Sequence, residues 1–278
     1  MYTGSVTADD VICALFDQVI AHYLDRGAID KWYFVRYADP HWHLRVRMHG
    51  KPEALLEQVV PEMCATSQKV LEKRRLWRVR IDTYEREVQR YGGENGISLA
   101  EDIFYFDSMA VLEIVKNLGG DDGAGFRWRL GLLSISLLLH DFGMNLKEKL
   151  DFVAMMRQGL GQEYKEDSAL RIQLGGKYRN ERSSIEAIMD ESSYNSAPLR
   201  TCLAALRKRS ERAVRTLQQF MDHGYDRTLR CSLKQLVANV VHMHVNRLLQ
   251  SSQRFQEYIL YDFLRRFFIS QVKKSGPV

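Results

Sequence analysis

Strand-like alternation of apolar and polar residues is confined to the first third of this chain, and this confinement limits the folds it can adopt. Between residues 31 and 49 the sequence alternates with a period of two, as WYFVRY and then HLRVRMH, separated by the turn-prone ADP. This pattern predicts two strands joined as a hairpin. A third strand is predicted over 77–91, WRVRIDTYEREVQRY, which ends at Gly92-Gly93. After that point the strand signals nearly disappear.

The rest of the regular structure is predicted to be helical, because apolar residues recur at steps of three and four. Helices are predicted before and after the hairpin, over 9–26 and 52–73, and Pro61 should bend or split the second. An S-x-x-E pattern at Ser98 and Glu101 is typical of a capping box ahead of a helix over 99–117. The remaining predicted elements are helices over 127–142, 146–158, 197–222, 232–250 and 253–272, and a long loop over 159–196.

These elements predict an α+β fold, with a small antiparallel sheet and its helices at the N-terminal side and a mainly α-helical bundle after it. We expect a sheet-containing α/β subdomain over 1–95 and a helical subdomain over 96–278, forming one compact unit with a shared site. Hydrophobic residues make up 45% of the chain and charged residues 27%, which is typical of a globular protein. No signal peptide and no run of the ~20 apolar residues that a membrane helix needs is recognisable, so a cytoplasmic location is expected.

Metal, disulfide and nucleotide sites are not predicted. The four cysteines lie far apart and form no CxxC pair, so reduced thiols are expected. His41, His43 and His49 are not accompanied by a further ligand at a characteristic interval, which disfavours a metal site. The sequence contains no P-loop, G-x-G-x-x-G, G-x-S-x-G or H-E-x-x-H motif. A net charge of +5 permits an acidic partner, although runs of charge on helices are usually solvated faces.

Cationic side chains share one face of each strand predicted near the hairpin. In the strand over 43–49 the residues on this face are His43, Arg45, Arg47 and His49. In the strand predicted over 77–91 the corresponding face carries Arg80, Asp82, Tyr84, Arg86 and Arg90. In one sheet, Arg45, Arg47 and Arg86 could converge on an anion, which guanidinium groups bind through bidentate hydrogen bonds. A solvent-exposed polar face of a sheet is an alternative explanation of the same pattern.

A polar but uncharged stripe runs along the helix predicted over 232–250. Its members follow each other at steps of three or four: Ser232, Gln235, Asn239, His242 and Asn246. A freely solvated helix face usually carries Lys, Glu or Arg, so this stripe indicates a pocket wall or a buried hydrogen-bond network. A histidine satisfied within the core is the alternative interpretation of His242. His244 projects from a different face.

Three motifs resemble, in this order, motifs of the C-terminal domain of class I lantibiotic dehydratases, a domain also found in thiopeptide-type bacteriocin biosynthesis proteins. They are WYFVRYADPHWHLRVRMHG at 32–50, YEREVQRYGG at 84–93 followed by AEDIFYFDS at 100–108, and HMHVNRL at 242–248. In that family an N-terminal domain uses glutamyl-tRNA to glutamylate Ser or Thr of a precursor peptide. The C-terminal domain then eliminates glutamate, leaving dehydroalanine or dehydrobutyrine.

The resemblance implies a stand-alone glutamate-elimination enzyme, a lyase, that acts on a glutamylated precursor peptide and needs a separate glutamyl-tRNA-dependent glutamylating protein. The eliminating residues of the family map onto Arg45, Arg47, Arg86 and His242, which are therefore the predicted catalytic residues. Substrate binding is predicted for their neighbours His43, Tyr84, Arg90, Asn239 and Asn246. Neither a metal nor an organic cofactor is expected, nor is binding to nucleic acid or membrane, and a homodimer is left open.

Two other functions are consistent with the sequence. Stand-alone pyridine synthases are a second branch of the family and join two dehydroalanines of a thiopeptide in a formal cycloaddition. They tend to lose the eliminating arginines and histidine, which this chain retains. A non-catalytic module that binds peptide or RNA through its basic faces would explain the charge but not the uncharged stripe around His242. Convergence of Arg45, Arg86 and His242 on one cavity would separate an enzyme from such a module.

Overall fold

The sheet lies in the N-terminal part of the chain. The computed structural model describes residues 1–190, 196–225 and 229–274. The first helical segment consists of α1 (Ala8–Leu15), a π-helical turn (Phe16–Ile20) and α2 (Ala21–Asp25). The strands β1 (Ile29–Tyr37) and β2 (His43–Gly50) then pair antiparallel, with Phe34 opposite Val46 and Arg36 opposite Leu44. The predicted antiparallel pair of strands is confirmed.

Helices account for most of the remaining regular structure. The segment after β2 consists of α3 (Pro52–Ala54), a second π-helical turn (Leu55–Val59) and α4 (Val60–Glu72). The irregular turn ends two residues before Pro61, which has no N–H to donate, in agreement with the predicted split. The later helices are α5 (Glu94–Asn117), α6 (Gly120–Asp141), α7 (Leu146–Glu163), α8 (Ser168–Met189), α9 (Ala197–Tyr225), α10 (Leu233–Leu248) and α11 (Gln253–Lys274). The predicted α+β class, with its N-terminal sheet and helical remainder, is confirmed.

The core is built around β1 and α5. Trp32 and Phe34 of β1 are fully buried, and β1 packs against α5 and α10. The long helix α9 lies along α5, and α11 lies along α7. The division into subdomains at residue 95 stays a prediction. Within the described ranges, the structure contains no helix with the length and apolar character needed to cross a bilayer.

The predicted third strand over 77–91 is wrong. Residues 79–87 have no regular secondary structure, residues 88–92 form a turn, and Arg78 makes only an isolated bridge with Tyr2. Most of this segment is exposed to solvent, so it has no buried face that would require a partner strand. Alternation of residue types indicates which way side chains point in an extended segment. A strand also needs a neighbouring strand to which its backbone can hydrogen-bond, and the alternation does not provide one. The shared face assigned to Arg80, Asp82, Tyr84, Arg86 and Arg90 is therefore not a sheet face.

The predicted long loop over 159–196 is also wrong for the residues that the structure describes. The helix α7 continues to Glu163, and α8 occupies 168–189 despite its Gly175-Gly176 pair. Glycines inside a helix cost about 1 kcal/mol each relative to alanine. Burial of apolar residues on α8 offsets this cost, at Leu174, Tyr178, Ile185 and Ile188. Asp167 caps α8 by accepting the Leu170 N–H at 2.8 Å. Residues 191–195 lie outside the described residues.

Candidate functional site

Arg45 and Arg47 stand on the same face of β2, above aromatic rings. The Arg45 guanidinium lies 3.9 Å from the ring centroid of Tyr37, and the Arg47 guanidinium lies 4.3 Å from that of Tyr84 and 5.5 Å from that of Tyr33. Neither arginine forms an ion pair with a carboxylate in the described part of the chain. Cation–π contacts orient a guanidinium without neutralising it. This face of the sheet therefore keeps two positive charges that an anion can bind.

His43 holds Arg45 in place. Its Nδ1 lies 2.8 Å from the carbonyl oxygen of His41 and must donate to it, which leaves Nε2 as the acceptor for Arg45 Nε at 3.2 Å. The imidazole is thus neutral in this arrangement. Burial is the main reason that the pKa of His43 is lowered, and Arg45 lowers it further. The ring also stacks on Tyr37 and Tyr2, so His43 positions Arg45.

Arg86 is bound to α5. Its Nε and Nη2 donate to the two carboxylate oxygens of Glu101 at 3.0 and 2.9 Å, and Nη2 also donates to Ser98 Oγ at 2.9 Å. Its Nη1 has only a 3.5 Å contact, with Glu94. Such a bidentate pair fixes the plane of the guanidinium. Arg86 therefore has a defined orientation, and Nη1 is the nitrogen left with the weakest partner.

Ser98 and Glu101 do not form the predicted capping box. The helix α5 starts earlier, at Glu94, and the residue before it is Gly93, whose φ of 110° strongly favours glycine. Ser98 and Glu101 therefore lie about one and two turns inside the helix, where their side chains are free to bind Arg86. The S-x-x-E pattern was correct about a helix and wrong about its first residue.

Tyr84 connects Arg47 with Arg86. Its ring packs edge-on against Tyr33 at 6.2 Å, under the Arg47 guanidinium. Burial raises the pKa of Tyr84, and the neighbouring Tyr33 and Glu101 raise it further, so its hydroxyl keeps its proton. Since Glu101 also binds Arg86, the side chains of Arg47, Tyr84 and Arg86 form one cluster. The structure brings these three predicted site residues together, although 77–91 is not a strand.

His242 is oriented by a carboxylate that the sequence did not single out. Its Nδ1 lies 2.8 Å from Glu257 Oε2, and Glu257, on α11, is fully buried. Arg254 Nη1 contacts the same oxygen at 3.3 Å. The His242 side chain is 26% exposed, and Nε2 has no hydrogen-bond partner among the described residues. A carboxylate on Nδ1 favours the Nδ1–H tautomer, which leaves the Nε2 lone pair available to an incoming group.

The two asparagines of the stripe fix α10 on either side of His242. Asn239 Nδ2 donates to the carbonyl oxygen of Arg90 at 2.9 Å. Asn246 accepts the Arg36 N–H at 2.9 Å and donates to the Arg36 carbonyl oxygen at 2.8 Å. Both amides thus bind backbone groups, one on the turn after Arg86 and one on β1. The stripe is a hydrogen-bond network that places His242 between these two segments.

Arg90 lies in the turn over 88–92 that precedes α5. Its guanidinium pairs with Glu87 at 2.8 Å. Burial would lower the pKa of Arg90, but Tyr91, Glu87 and Tyr37 together raise it. The Arg90 guanidinium also lies 5.7 Å from the ring centroid of Tyr91.

Convergence of all the predicted site residues on one substrate stays a prediction. Among the described contacts, none joins His242 directly to Arg45, Arg47 or Arg86. A small surface depression borders β2 on the side of Arg36 and Gln250, and of the predicted site residues only His43 lines it.

Replacing Glu257 by glutamine should change the protonation pattern of the His242 ring. Without the carboxylate, the preference for a proton on Nδ1 weakens, and the populations of the two tautomers should move toward Nε2–H. The nitrogen chemical shifts of a ¹⁵N-histidine-labelled protein report these populations directly. Glu163→Gln is the matched control, because Glu163 accepts from Nη2 of the same Arg254 at 2.9 Å and makes no hydrogen bond to the His242 ring. Identical spectra for the wild type and Glu257→Gln would contradict this role of Glu257.

Sequence comparisons match the chain to one protein family and to two individual proteins. A family model described as "Lantibiotic biosynthesis dehydratase C-term" matches residues 1–268. Subtilin biosynthesis protein SpaB of Bacillus subtilis is 26% identical over 232 residues, which are 82% of this chain and 21% of that protein. Nisin biosynthesis protein NisB of Lactococcus lactis subsp. lactis is 26% identical over 246 residues, 86% of this chain and 22% of that protein. The chain spans about a fifth of the length of these relatives.

Solved structures share the fold. The tRNA-dependent lantibiotic dehydratase MibB from Microbispora sp. 107891 superposes with a TM-score of 0.68 at 22% identity, over 100% of this chain and 28% of that chain. The pyridine synthase TbtD from thiomuracin biosynthesis superposes with a TM-score of 0.68 at 15% identity, over 99% of this chain and 97% of that chain. At these identities the similarity establishes the fold alone.

Proposed function

Because the chain belongs to the lantibiotic biosynthesis dehydratase C-terminal family, we propose that it eliminates glutamate from glutamylated Ser or Thr residues of a ribosomally made precursor peptide. The products are dehydroalanine or dehydrobutyrine and free glutamate. In this reaction a base removes the Cα proton, the electron pair forms the Cα=Cβ bond, and the Cβ–O bond breaks. Glutamate leaves with the electrons of that bond as a carboxylate.

The proposal rests on one observation: Arg45, Arg47 and His242 have a charge or lone pair that no neighbouring group in the described structure uses. Arg45 and Arg47 have no carboxylate partner among the described residues, and His242 has an accessible Nε2 beside a buried glutamate. Guanidinium groups without counter-charges suit the carboxylates of a glutamyl group and the negative charge that develops during α-proton removal. An imidazole oriented through Nδ1 can transfer a proton through Nε2. The two kinds of group needed for an elimination are thus both present.

Under this proposal the residues divide into two roles. Arg45, Arg47 and Arg86 bind the leaving glutamyl group and the adjacent carbonyl oxygen, and His242 transfers the proton. His43, Tyr84, Arg90, Asn239 and Asn246 border these groups, and their hydrogen bonds and ring contacts fix the geometry. Pre-organised charge of this kind is commonly the largest contribution to catalysis. The chemistry requires no metal or organic cofactor.

Two partners follow from the proposed reaction. The first is the precursor peptide, which must arrive already glutamylated. The second is a glutamyl-tRNA-dependent protein that attaches the glutamate, since the proposed reaction consumes a peptide that is already glutamylated.

Incubation with two synthetic peptides tests the proposal against the pyridine synthase reaction. A peptide with one glutamylated serine should lose the mass of one glutamic acid and release free glutamate, both measured by mass spectrometry. A peptide with two dehydroalanines should stay unchanged. Macrocycle formation from the second peptide, with no glutamate released from the first, would assign the chain to pyridine synthesis. Unchanged mass of both peptides, with binding of either, would indicate a non-catalytic peptide-binding module.

A further inference from the structure

The outer edge of β2 has the geometry of a strand that can pair with another chain. Antiparallel pairing directs the N–H and C=O of alternate residues toward the neighbouring strand and those of the others outward. Leu44 directs its groups outward, since its N–H donates to the Met1 carbonyl oxygen at 2.8 Å and its carbonyl oxygen accepts from Met1 N at 2.9 Å. Val46 and Met48 lie two and four residues after Leu44 and therefore have the same orientation in the strand. Their backbone groups therefore also point to the outer edge.

The opposite edge of the sheet confirms this orientation. Arg36 and Phe34, which lie opposite Leu44 and Val46, direct their backbone groups away from β2. Arg36 binds Asn246 through both groups, and the Phe34 carbonyl oxygen accepts from Arg247 at 2.9 Å. The outer edge of β1 is thus occupied by side chains. On β2, no hydrogen bond to the outward backbone groups of Val46 or Met48 is found in the described structure.

The first position of this edge already carries a strand-like segment. Tyr2 forms an antiparallel bridge with His43 on one side and with Arg78 on the other. The edge therefore accepts an added backbone at 43–44, and none of the described residues hydrogen-bonds to its outward backbone groups at 46 and 48. A free strand edge of this kind is the surface to which extended peptides bind by adding a strand.

Resting on the proposed elimination, we propose that the glutamylated precursor peptide binds in an extended form along the outer edge of β2, with backbone hydrogen bonds to Val46 and Met48. Charge complementarity selects this occupant. Arg45 and Arg47 flank Val46 on one face, and neither has a carboxylate partner among the residues described. A peptide residue opposite one of them projects its side chain to the same face, about 5 Å away. A glutamyl group on that residue meets a guanidinium.

This arrangement also explains how one site accepts different precursor sequences. Backbone hydrogen bonds are independent of the side chains of the peptide, and the period of two presents every second residue to the arginine face. A glutamylated residue reaches Arg45 or Arg47 when it is one of the alternate peptide residues whose side chains project to the arginine face. The peptide residues between them point to the Val46 and Met48 face.

Proline at position 46 tests the role of the backbone. Val46→Pro removes the outward N–H, and no hydrogen bond of the β1–β2 ladder depends on that N–H. Val46→Ala is the matched control, because it shortens the side chain and keeps the N–H. The ligand is a fluorescein-labelled precursor peptide in which glutamate is joined to 2,3-diaminopropionate through a stable amide. Fluorescence anisotropy should show about three- to tenfold weaker binding to Val46→Pro than to Val46→Ala, the effect of one lost hydrogen bond.

Amide exchange in the wild type supplies a measurement that does not depend on the folding of a variant. With this peptide at about ten times its Kd, exchange at the Val46 and Met48 amides should slow roughly tenfold in NMR spectra. The Arg45 and Arg47 amides, which face β1, should change little. Unchanged exchange at Val46 and Met48 in the saturated complex would overturn the docking proposal, as would a peptide that does not bind. Protection that appears without peptide as the protein concentration rises would assign the edge to a second copy of the chain.

The docking proposal and the proposed function fail in different ways. Slowed exchange at Val46 and Met48 without glutamate release from the ester peptide supports the docking proposal and rejects the elimination. Glutamate release without slowed exchange rejects the docking proposal alone.

Discussion

Substitution of His242 by alanine should reduce glutamate release from a glutamylated peptide at least about a hundredfold, the lower limit typical for loss of a general acid–base group. Peptide binding should change little, because the guanidinium groups of Arg45 and Arg47 remain. The ring is partly exposed and Asn239 and Asn246 still anchor α10, so the fold should be retained. Glutamate released from a single-site peptide, followed by mass spectrometry, measures the effect.

His22→Ala is the control for this experiment. His22 is exposed on α2, where its ring contacts Tyr23 at 5.1 Å, and it has no contact with the candidate site. It should release glutamate at the rate of the wild type. Circular dichroism and thermal unfolding should be alike for the wild type and both variants. Release by His242→Ala at the rate of the wild type would reject the assignment of His242.

The prediction from sequence was correct for elements whose local residue pattern matches the way they are buried in the fold. The pair β1–β2 was predicted because its residues follow a period of two and the turn between the strands has a distinct composition. Helices with regular apolar spacing were predicted for the same reason. The prediction failed for 77–91, where alternation is present but no neighbouring strand edge is available. It failed again for α8, where tertiary burial outweighs two glycines.

Prediction of the candidate site from the sequence is limited in a similar way. The positions of Arg45 and Arg47 on one face follow from the period of β2, and the amide stripe correctly indicated a hydrogen-bond network on α10. The partners of these groups depend on tertiary contacts that no short-range pattern contains. Glu257 lies 15 residues from His242 on another helix, and its carboxylate is recognisable only once α10 and α11 pack together. Glu101 was assigned to a helix cap because its real partner, Arg86, lies outside the helix.

A buried charge network away from the candidate site holds several helices together. Asp107 of α5 accepts hydrogen bonds from His244 Nδ1 at 2.7 Å and Arg247 Nη1 at 3.1 Å, both on α10, and from Arg209 Nη1 of α9 at 3.4 Å. None of these side chains is more than 3% exposed. His244 Nε2 also lies 2.6 Å from Ser134 Oγ of α6. This Ser–His–Asp arrangement is sealed from solvent, so its role is to join four helices.

Replacing Asp107 by alanine should lower the free energy of unfolding by about 3–5 kcal/mol, because buried cations on two helices lose their carboxylate. Urea denaturation measures the change. Asp17→Ala is the matched control, since Asp17 pairs with Lys116 but is 56% exposed, and loss of such a surface pair costs at most about 1 kcal/mol. Equal and small effects of the two substitutions would contradict a structural role for the Asp107 network.

The same network makes stability depend on pH in a defined direction. Burial would raise the pKa of Asp107, but His244, Arg247 and Arg209 outweigh burial and hold it well below its ordinary value. Burial lowers the pKa of His244, and Asp107 offsets only part of this effect. Both groups bind protons more weakly in the folded chain than in the unfolded chain, so acid favours unfolding. Stability should decrease first as the pH falls through 6.5, the ordinary value for histidine, and again below 3.8, the ordinary value for aspartate.

The part of the stability difference between the wild type and Asp107→Ala that comes from the carboxylate charge should therefore be complete above pH 3.8. It should narrow once the pH falls below 3.8, where the unfolded wild type begins to take up the proton that the folded protein refuses. Urea denaturation of both proteins between about pH 7 and about pH 3 measures this difference directly. A difference that stays constant over the whole range would show that Asp107 contributes through its shape and not through its charge.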